Sequence, residues 1–354
     1  MNEAPVSRRP GKVRAARLTD LAALGELSRL CQSDGAETRS LGLPLSGPPI
    51  GVFSLFRLPL GAFRPNDLMY VYEQEGRIAG LVRVERESVR DEWTIVELDA
   101  VGMADAGDIR YRLVQQLLRE GAKRGAARFH VACADRDGNV ELLMQAGFMR
   151  YGEERILARP PGKALPPPWT DKRAAAAGIR PAGQLDALAL SRLYSVATPS
   201  PVARLEAIRL ADWERQGNHW RVPRSSLAPI LRFADVEGFV QAMPGGGRDG
   251  TELAGFVQVG VAKEDQPHYL KVIARPDADA TALVAFGLGA IAGAAAKDGS
   301  RSQHGVIAPV RTYESPIDRR LEEAGFDSIA SVTLLMKETL VRVAEPALVP
   351  AGVR

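Results

Sequence analysis

Four short stretches of this chain occur twice, in the same order, and that repetition limits the fold more than any composition value. "VRAARLTDLAALGELSRL" from Val13 is answered by "IRPAGQLDALALSRLYSV" from Ile179. Asp20 matches Asp186, Leu24 matches Leu190 and Leu27 matches Leu193, all at an offset of 166 (186 − 20). "GRIAGLVRVERE" resembles "TELAGFVQVGVAKE", placing Gly80 on Gly255. "KRGAARFHVACA" resembles "KDGSRSQHGVIAP", placing Gly125 on Gly299 and His130 on His304. "LLMQAGFMRYGEE" and "RLEEAGFDSIASV" share Ala-Gly-Phe, with Gly147 on Gly325 at an offset of 178 (325 − 147). One such match is weak, but four in order imply an internal duplication of a unit of roughly 150 residues. Two copies make a tandem or pseudo-dimeric protein, not a solenoid.

The break between the copies is "ARPPGKALPPPWTDKRAAAAG", residues 158–178. Proline fixes φ and removes a donor, so this run makes neither a central strand nor a long helix. The expected division is therefore residues 1–158, a Pro/Ala-rich linker at 159–177, a second domain at 178–345 and a tail at 346–354.

Composition narrows the class. With 45% hydrophobic and 25% charged residues the chain can fill real cores. Its net charge of +3 and scattered basic residues give no footprint for nucleic acid. The two cysteines, Cys31 and Cys133, form neither a CxxC pair nor a disulfide framework, which fits a reducing compartment. No apolar run reaches the ~18 residues of a membrane span, and no leader-like apolar region opens the sequence. The expectation is a cytoplasmic protein, without a metal centre because no Cys/His/carboxylate array is present. Its state is open: a monomer with an intramolecular pseudo-dimer, or a homodimer.

One copy reads β-α-(irregular)-β-β-β-α-β-α-β. "KVRAAR" is a short strand and "LTDLAALGELSRLCQ" a helix with Thr19 or Asp20 at its start. "LMYVYEQEGRIAGLVRVERE" is a hairpin turning at Glu-Gly, and "EWTIVELDAVGM" a third long strand. "DIRYRLVQQLLREGAKRG" is a helix with Leu113, Val114, Leu117 and Leu118 on one face. "NVELLMQAG" is a short helix stopped by Gly147, and "RYGEERILAR" a last strand. Residues 35–66 and the stretch from Thr198 to Phe233 are poorly patterned. Antiparallel strands followed by a β-α-β crossover make an α+β unit with a mixed sheet.

This order resembles the GCN5-related N-acetyltransferases, the GNAT superfamily. "EGRIAGLVRVE" is similar to the family's second and third strands and "WTIVELDAV" to its fourth. "RLVQQLLREGAKRG" is similar to the helix that carries coenzyme A, and "HVACADRDGNVELLMQAGFMRYGEERIL" to the fifth strand, fourth helix and final strand pair. The second copy offers "ELAGFVQVGVA", "HYLKVIA", "TALVAFGLGAIAGAAAKDG" and "VIAPVRTYESPIDRRLEEAGFDSIASVTLLMKE". The resemblance implies two GNAT-like α+β domains, each a mixed, mostly antiparallel sheet flanked by helices. It also implies an acyl-CoA-dependent N-acyltransferase in which an amine attacks the thioester of acetyl-CoA in a cleft between splayed fourth and fifth strands. The acceptor, a small molecule or a protein amine, is not named by it.

Carried onto this chain, the resemblance places coenzyme A at Val101, Met103, Gly107, Ile109, Arg110 and Arg112. It places Glu97 and Asp99 on one face of the fourth strand, as carboxylates toward the amine. His268 is the comparable group in the second copy. The departures are specific. The family's glycine-rich phosphate turn becomes "ADAGDIRYRL" in the first copy, with Gly107 its one glycine and Asp108 beside the phosphates. A carboxylate there costs roughly 2–4 kcal/mol at contact distance, which Arg110 and Arg112 offset if turned inward. The second copy's turn is "RPDADATALVAF", with Asp277 and Asp279, and with Ala282 and Val284 at glycine positions. Its "GLGAIAG" reads as small residues packing a helix on a sheet. Leu143 and Leu321 stand where the family has a tyrosine acid, and Tyr313 lies earlier. Three readings follow: an acyltransferase with the first copy active, a non-catalytic tandem protein binding a ligand or protein partner, and a scaffold of two packed copies.

Overall fold

In a computed structural model of the chain, the structure describes residues 11–33, 67–87, 91–101, 105–135, 138–214, 224–227, 231, 233–244, 252–262, 266–297 and 304–339. Among them the first copy runs β1 (Lys12–Ala15), α1 (Leu21–Ser33), β2 (Asp67–Gln74), β3 (Arg77–Glu87), β4 (Glu92–Ala100), α2 (Ala106–Lys123), β5 (Arg128–Cys133), α3 (Asn139–Gln145) and β6 (Met149–Arg159). After α4 (Asp171–Ala176) the order repeats. It runs β7 (Ile179–Pro181), α5 (Ala187–Ala197), α6 (Ser200–Glu206), α7 (Leu210–Glu214), β8 (Phe233–Ala242), β9 (Leu253–Ala262), β10 (His268–Ala274), α8 (Thr281–Lys297), β11 (Val306–Arg311), α9 (Ser315–Glu323) and β12 (Asp327–Glu338).

The duplication extends to individual atoms. Arg14 clasps Asp20 through Nη1–Oδ2 at 2.7 Å and Nη2–Oδ1 at 2.9 Å, while the Arg17 N–H donates to Asp20 Oδ2 at 2.7 Å. At an offset of 166, Arg180 clasps Asp186 at 2.8 and 2.6 Å and the Gly183 N–H donates to Asp186 Oδ2 at 2.7 Å. Each pair fixes the corner between first strand and first helix. Gly147 and Gly325 both take left-handed φ, +89° and +87°, to end α3 and α9. Gly80 and Gly255 both lie under the long helix of their copy. A Cβ on Gly80 would meet Ile109 Cγ2 at 2.6 Å, and one on Gly255 would meet Leu283 Cδ1.

All twelve strands form one sheet, ordered β1-β2-β3-β4-β5-β12-β6-β11-β10-β9-β8-β7. The resemblance implies a final strand pair inside each copy, and the structure corrects that. Each copy has one last strand, and the two are exchanged. β12 pairs with β5 of the first copy, β6 pairs with β11 of the second, and β6 and β12 pair with each other, all antiparallel. The register of that central pair is self-symmetric. Ala158 pairs with Asp327 and Met149 with Met336, and adding 178 to Met149 and Ala158 gives Asp327 and Met336. A pseudo-twofold axis therefore passes through the Glu154–Val332 pair.

Alternation along the strands divides the core into two layers. Tyr70, Val82, Ile95 and Leu98 face α2 and α3, while their neighbours Met69, Val71 and Leu81 face Leu24 and Leu27 of α1. In the second copy Val257, Leu270 and Val272 face α8 and α9, while Phe256 and Ile273 face α5 and Trp213. Leu335 and Leu157 continue the α2/α8 layer across the seam, and Ala132, Ile156, Leu334, Leu227 and Leu231 fill the centre of the opposite layer. The Pro-rich stretch is a strap rather than a free tether. Arg159 donates to Lys163 O and Ala164 O, both at 2.6 Å. Trp169 packs edge-on against Phe286 of α8 at 5.7 Å.

Several expectations shift. The poorly patterned stretch after Thr198 contains the short helices α6 and α7, and its Trp213 is buried core. Residues 34–66, with Phe53, Phe56 and Phe63, and Trp220 lie outside the described residues. His130 lies within β5, but His304 precedes β11 by two residues, so the two histidines are not structural equivalents.

Candidate functional site

Each copy holds a V-shaped opening where its fourth and fifth strands part. β4 and β5 pair in parallel only over Glu92–Ile95 and Arg128–Val131. Beyond that point β5 stays with β12 through Cys133, and β4 stays with β3 to Ala100. A register shift assists the parting. Arg83 pairs with Glu97 and Val84 with Ile95, so Val96 is one residue extra on β4. β10 and β11 part even earlier, after Tyr269 and Ile307.

The residues expected to serve the first V are only partly gathered there. Glu97 and Asp99 lie opposite Arg83 and Leu81 on β3, on the layer of α1, and both are buried. Glu97 accepts from Arg83 Nε at 2.8 Å, so one of its oxygens is engaged. Val101 donates its N–H to Ala79 O at 2.9 Å and packs against the α1 cluster. Met103 is outside the described residues. Gly107 is exposed at the start of α2, where an added Cβ would meet nothing within 4 Å. Ile109 is a core residue under Gly80, and its N–H donates to Asp105 O at 3.0 Å as the first rung of the helix ladder. The N–H groups of Ala106, Gly107 and Asp108 precede that rung at the positive end of the helix dipole. Arg110 reaches across to Asn139 Oδ1 on α3. Arg112 is turned to solvent and holds Asp108 Oδ2 at 2.7 Å, one helical turn back. The acidic residue at this turn thus carries its own counter-ion, and Arg112 is spent on it. Leu143 and Leu321, which stand where the family has its tyrosine, are core residues.

At the apex of the first V, on the layer away from α2, is a cavity of about 30 Å³. Thr94 and Val96 of β4, His130 and Ala132 of β5 and Tyr151 of β6 form its floor. Its roof comes from the second copy: Arg224, Ser225, Ser226 and Arg311. Around it lies a buried charged network. Arg311 faces Glu154 Oε2 at 3.1 Å and Glu206 Oε1 at 2.8 Å. Glu206 also accepts from Tyr194 Oη at 2.6 Å, Glu154 accepts the Ser226 N–H at 2.8 Å, and Arg224 pairs with Glu92. His130 Nε2 is 3.4 Å from Glu92 Oε2. Burial, with Arg224 next, lowers the His130 pKa to about 4, so its imidazole is neutral near pH 7. Burial likewise pushes the Cys133 thiol up to about 12, leaving an inert small apolar side chain.

Sequence reasoning missed the roof. Arg224 lies in a stretch with no period to read. Arg311 carried a usable signal, a charge at an inward position of the otherwise apolar strand β11.

The second V is closed at three points. Tyr269 occupies its apex and donates to Ser225 Oγ at 3.0 Å. Lys271, 1% exposed, crosses the gap to Pro309 O at 3.2 Å and Glu314 Oε2 at 2.7 Å. Counting back from the Gly80–Ala100 and Gly255–Ala274 pairs, Lys271 stands where the first copy has Glu97. The third closure is at the helix start. Asp279 Oδ1 accepts from Thr281 N–H at 3.0 Å and Thr281 Oγ1 at 2.6 Å, and Arg320 Nε lies 3.3 Å away. A carboxylate of the chain itself thus holds the anion position, and coenzyme A does not fit this copy. His268 is fully buried and its Nδ1 accepts from the Ala262 N–H at 3.0 Å, so it does not face a cleft as a base. The glycines of "GLGAIAG" divide between two neighbours. Gly287 packs on the sheet against Leu270 and Val257, and Gly289 and Gly293 pack under Pro167, Pro168 and Trp169 of the strap. Among the described residues no group of three His, Cys, Asp or Glu is placed to hold a metal, and no helix is long and apolar enough to cross a membrane.

No protein-family model matches the sequence, and no curated protein matches it either. Solved structures match over nearly the whole length. A tandem GNAT protein from the clavulanic acid biosynthesis pathway superposes with a TM-score of 0.53 at 13% identity, over 93% of this chain and 98% of that one. A GCN5-related N-acetyltransferase from Sphaerobacter thermophilus gives a TM-score of 0.54 at 15% identity, over 93% and 95%. At such identities the likeness is one of architecture, and it includes the tandem arrangement. The fold of this chain is that of the GCN5-related N-acetyltransferases, carried twice.

Proposed function

We propose that the chain is an acyl-CoA-dependent N-acyltransferase that works through the first V, with the second copy serving as its roof and support. The observation that carries this reading is the asymmetry of the two openings. In the second copy a tyrosine, a lysine–glutamate pair and an aspartate fill the apex, the gap and the helix start. In the first copy the apex residue is the small Thr94, a cavity remains beneath it, and Asp105 gives the helix start no side-chain cap.

The start of α2 suits a pyrophosphate, because N–H groups and the helix dipole point outward and Gly107 lets the backbone approach closely. When bound, acetyl-CoA supplies an activated acyl carbon. Glu97 and Asp99 lie on the acceptor layer as carboxylates that attract an ammonium. The acceptor itself, small molecule or protein amine, is left unnamed.

Coenzyme A titration followed by thermal unfolding tests the reading. Ligand at ~100 times its dissociation constant adds about 2.7 kcal/mol of stability. Gly107→Asp is expected to leave the unliganded protein folded, since its Cβ meets nothing, and to remove the coenzyme A response by repelling phosphate. Thr281→Asp, at the capped helix start of the second copy, is expected to leave the response intact. No stabilisation at millimolar coenzyme A would sink the proposal. Stabilisation without acyl transfer to any of a panel of amines would instead favour the non-catalytic reading, which the Glu97–Arg83 pair and the core position of Leu143 also support.

A further inference from the structure

The cavity at the apex of the first V is lined by four hydroxyl side chains, those of Thr94, Tyr151, Ser225 and Ser226. Two are occupied. Ser226 Oγ bonds to Glu154 Oε1, and Ser225 Oγ accepts from Tyr269 Oη at 3.0 Å. The hydroxyls of Thr94 and Tyr151 have no hydrogen-bond partner among the described residues. Nor are they shut in. The enclosed, unpartnered polar atoms beside this cavity are Arg224 Nε, Arg311 Nη1 and both His130 nitrogens, which no ligand reaches. Thr94 and Tyr151 each keep part of their surface open.

A bulge in β6 places Tyr151 there. Gly152 pairs with Leu334 and Arg150 with Leu335, so Tyr151 is one residue extra on its strand. The duplication keeps this bulge in both copies. The extra residue of β12, between Ser328 and Ala330, is Ile329, at the offset of 178 (329 − 151). Only the copy with the open V therefore carries a hydroxyl at the bulge.

The surroundings define what that hydroxyl can bind. Burial, then the Glu206 carboxylate, raises the Tyr151 pKa, so the phenol keeps its proton and donates. Arg224 and Arg311 beside it are already matched by Glu92, Glu154 and Glu206, so no surplus positive charge draws in an anion. An attacking amine needs its lone pair for the acyl carbon, and a phenol that took it would hinder the attack. A carbonyl oxygen only accepts, and it gains negative charge when the thioester is attacked. The cavity lies where β4 and β5 first part, the closed end of the opening. The leading end of an acyl-CoA entering that opening is its acyl group.

We propose that the Tyr151 hydroxyl, carried on the bulge of β6, donates a hydrogen bond to the carbonyl oxygen of the acyl group bound in the first V. This rests on the acyltransferase reading and adds to it a binding residue for the acyl oxygen.

The test compares the affinity of the full-length protein for acetyl-CoA with that for S-ethyl-CoA, a thioether of similar shape that lacks the carbonyl. Acetyl-CoA is expected to bind about fivefold more tightly, the factor for one neutral hydrogen bond. Tyr151→Phe removes only the oxygen and keeps the ring, so the variant is expected to fold with an unchanged denaturant midpoint. It should abolish the preference and leave the S-ethyl-CoA affinity unchanged. Equal affinities in the unmodified protein would overturn the proposal without any variant. So would a preference that survives in Tyr151→Phe, or an equal loss for both ligands, which marks a packing role. A preference removed by Thr94→Val but kept in Tyr151→Phe would assign the donor to β4 and also overturn it. If both derivatives bind without a preference, the Tyr151 donor falls and the acyl-CoA reading stands. If coenzyme A and both derivatives fail to bind, both fall.

Discussion

His130 shows how the burial of one side chain makes stability depend on pH. Its imidazole is buried against Arg224, its pKa is lowered to about 4, and an unfolded histidine titrates near 6.5. Above the unfolded value both states are neutral and the group contributes nothing pH-dependent. As pH falls from 6.5 towards 4 the unfolded chain binds a proton that the folded protein refuses, so stability declines. The slope from this group is at most about 1.4 kcal/mol per pH unit, and the total about 3 kcal/mol. His130→Gln is expected to remove that component, so the difference in unfolding free energy between the two proteins should change between pH 6.5 and 4 and be flat above 7. A difference independent of pH across that window would show that His130 is not held neutral. The residue scale is also where sequence reading fell shortest. Pairing His130 with His304 followed letters, whereas strand register separates them. The resemblance places Ile109 and Arg112 at the phosphate turn. A helix turn sends Ile109 inward under Gly80 and Arg112 outward to Asp108.

At the scale of elements, most of the chain was legible. Alternation gave the hairpin, whose turn residues Glu75 and Gly76 both take positive φ as a two-residue turn requires. Leucine spacing gave α2, and the Ala-Gly-Phe corners gave α3 and α9. The repeated glycines under the long helices record a packing demand rather than a ligand. A Cβ on Gly80 would meet Ile109 Cγ2 at 2.6 Å, Asp99 O at 3.0 Å and Leu113 Cδ1 at 3.1 Å, and the carbonyl belongs to a central strand that cannot yield. Gly80→Ala is expected to destabilise by roughly 1–3 kcal/mol, as overpacking in cores does. Gly152→Ala on β6 is the control, because its Cβ would sit 3.5 Å from Leu334 Cδ1, an ordinary contact. Denaturant midpoints distinguish them: the first should fall clearly and the second should move little. Equal midpoints would mean that α2 is free to rise off the sheet.

At the scale of the molecule, the sequence announced two copies but could not announce that they share strands. An exchange leaves each strand's own pattern untouched, because β12 alternates in the same way whether it pairs with β11 or with β5. Only register reveals it, through β5–β12, β12–β6 and β6–β11. The consequence is that neither copy owns a complete sheet. Without β12, the full length of β5 from Arg128 to Cys133 becomes an exposed edge, and Ala132 and Val131 lose their cover from Leu334 and Leu335. Without the second copy the apex of the first V also loses its roof of Arg224, Ser225, Ser226 and Arg311. A fragment of residues 1–160 is therefore expected to be aggregation-prone or loosely packed when expressed alone. Co-expressed with residues 161–354 it should assemble one-to-one, because the β6–β12 ladder and the paired strands on either side hold the halves together without the strap. Size-exclusion chromatography and amide exchange at β5 read the outcome. A first fragment that is monomeric, cooperatively folded and protected at β5 by itself would show that the exchange is dispensable, and that each copy can close its own sheet.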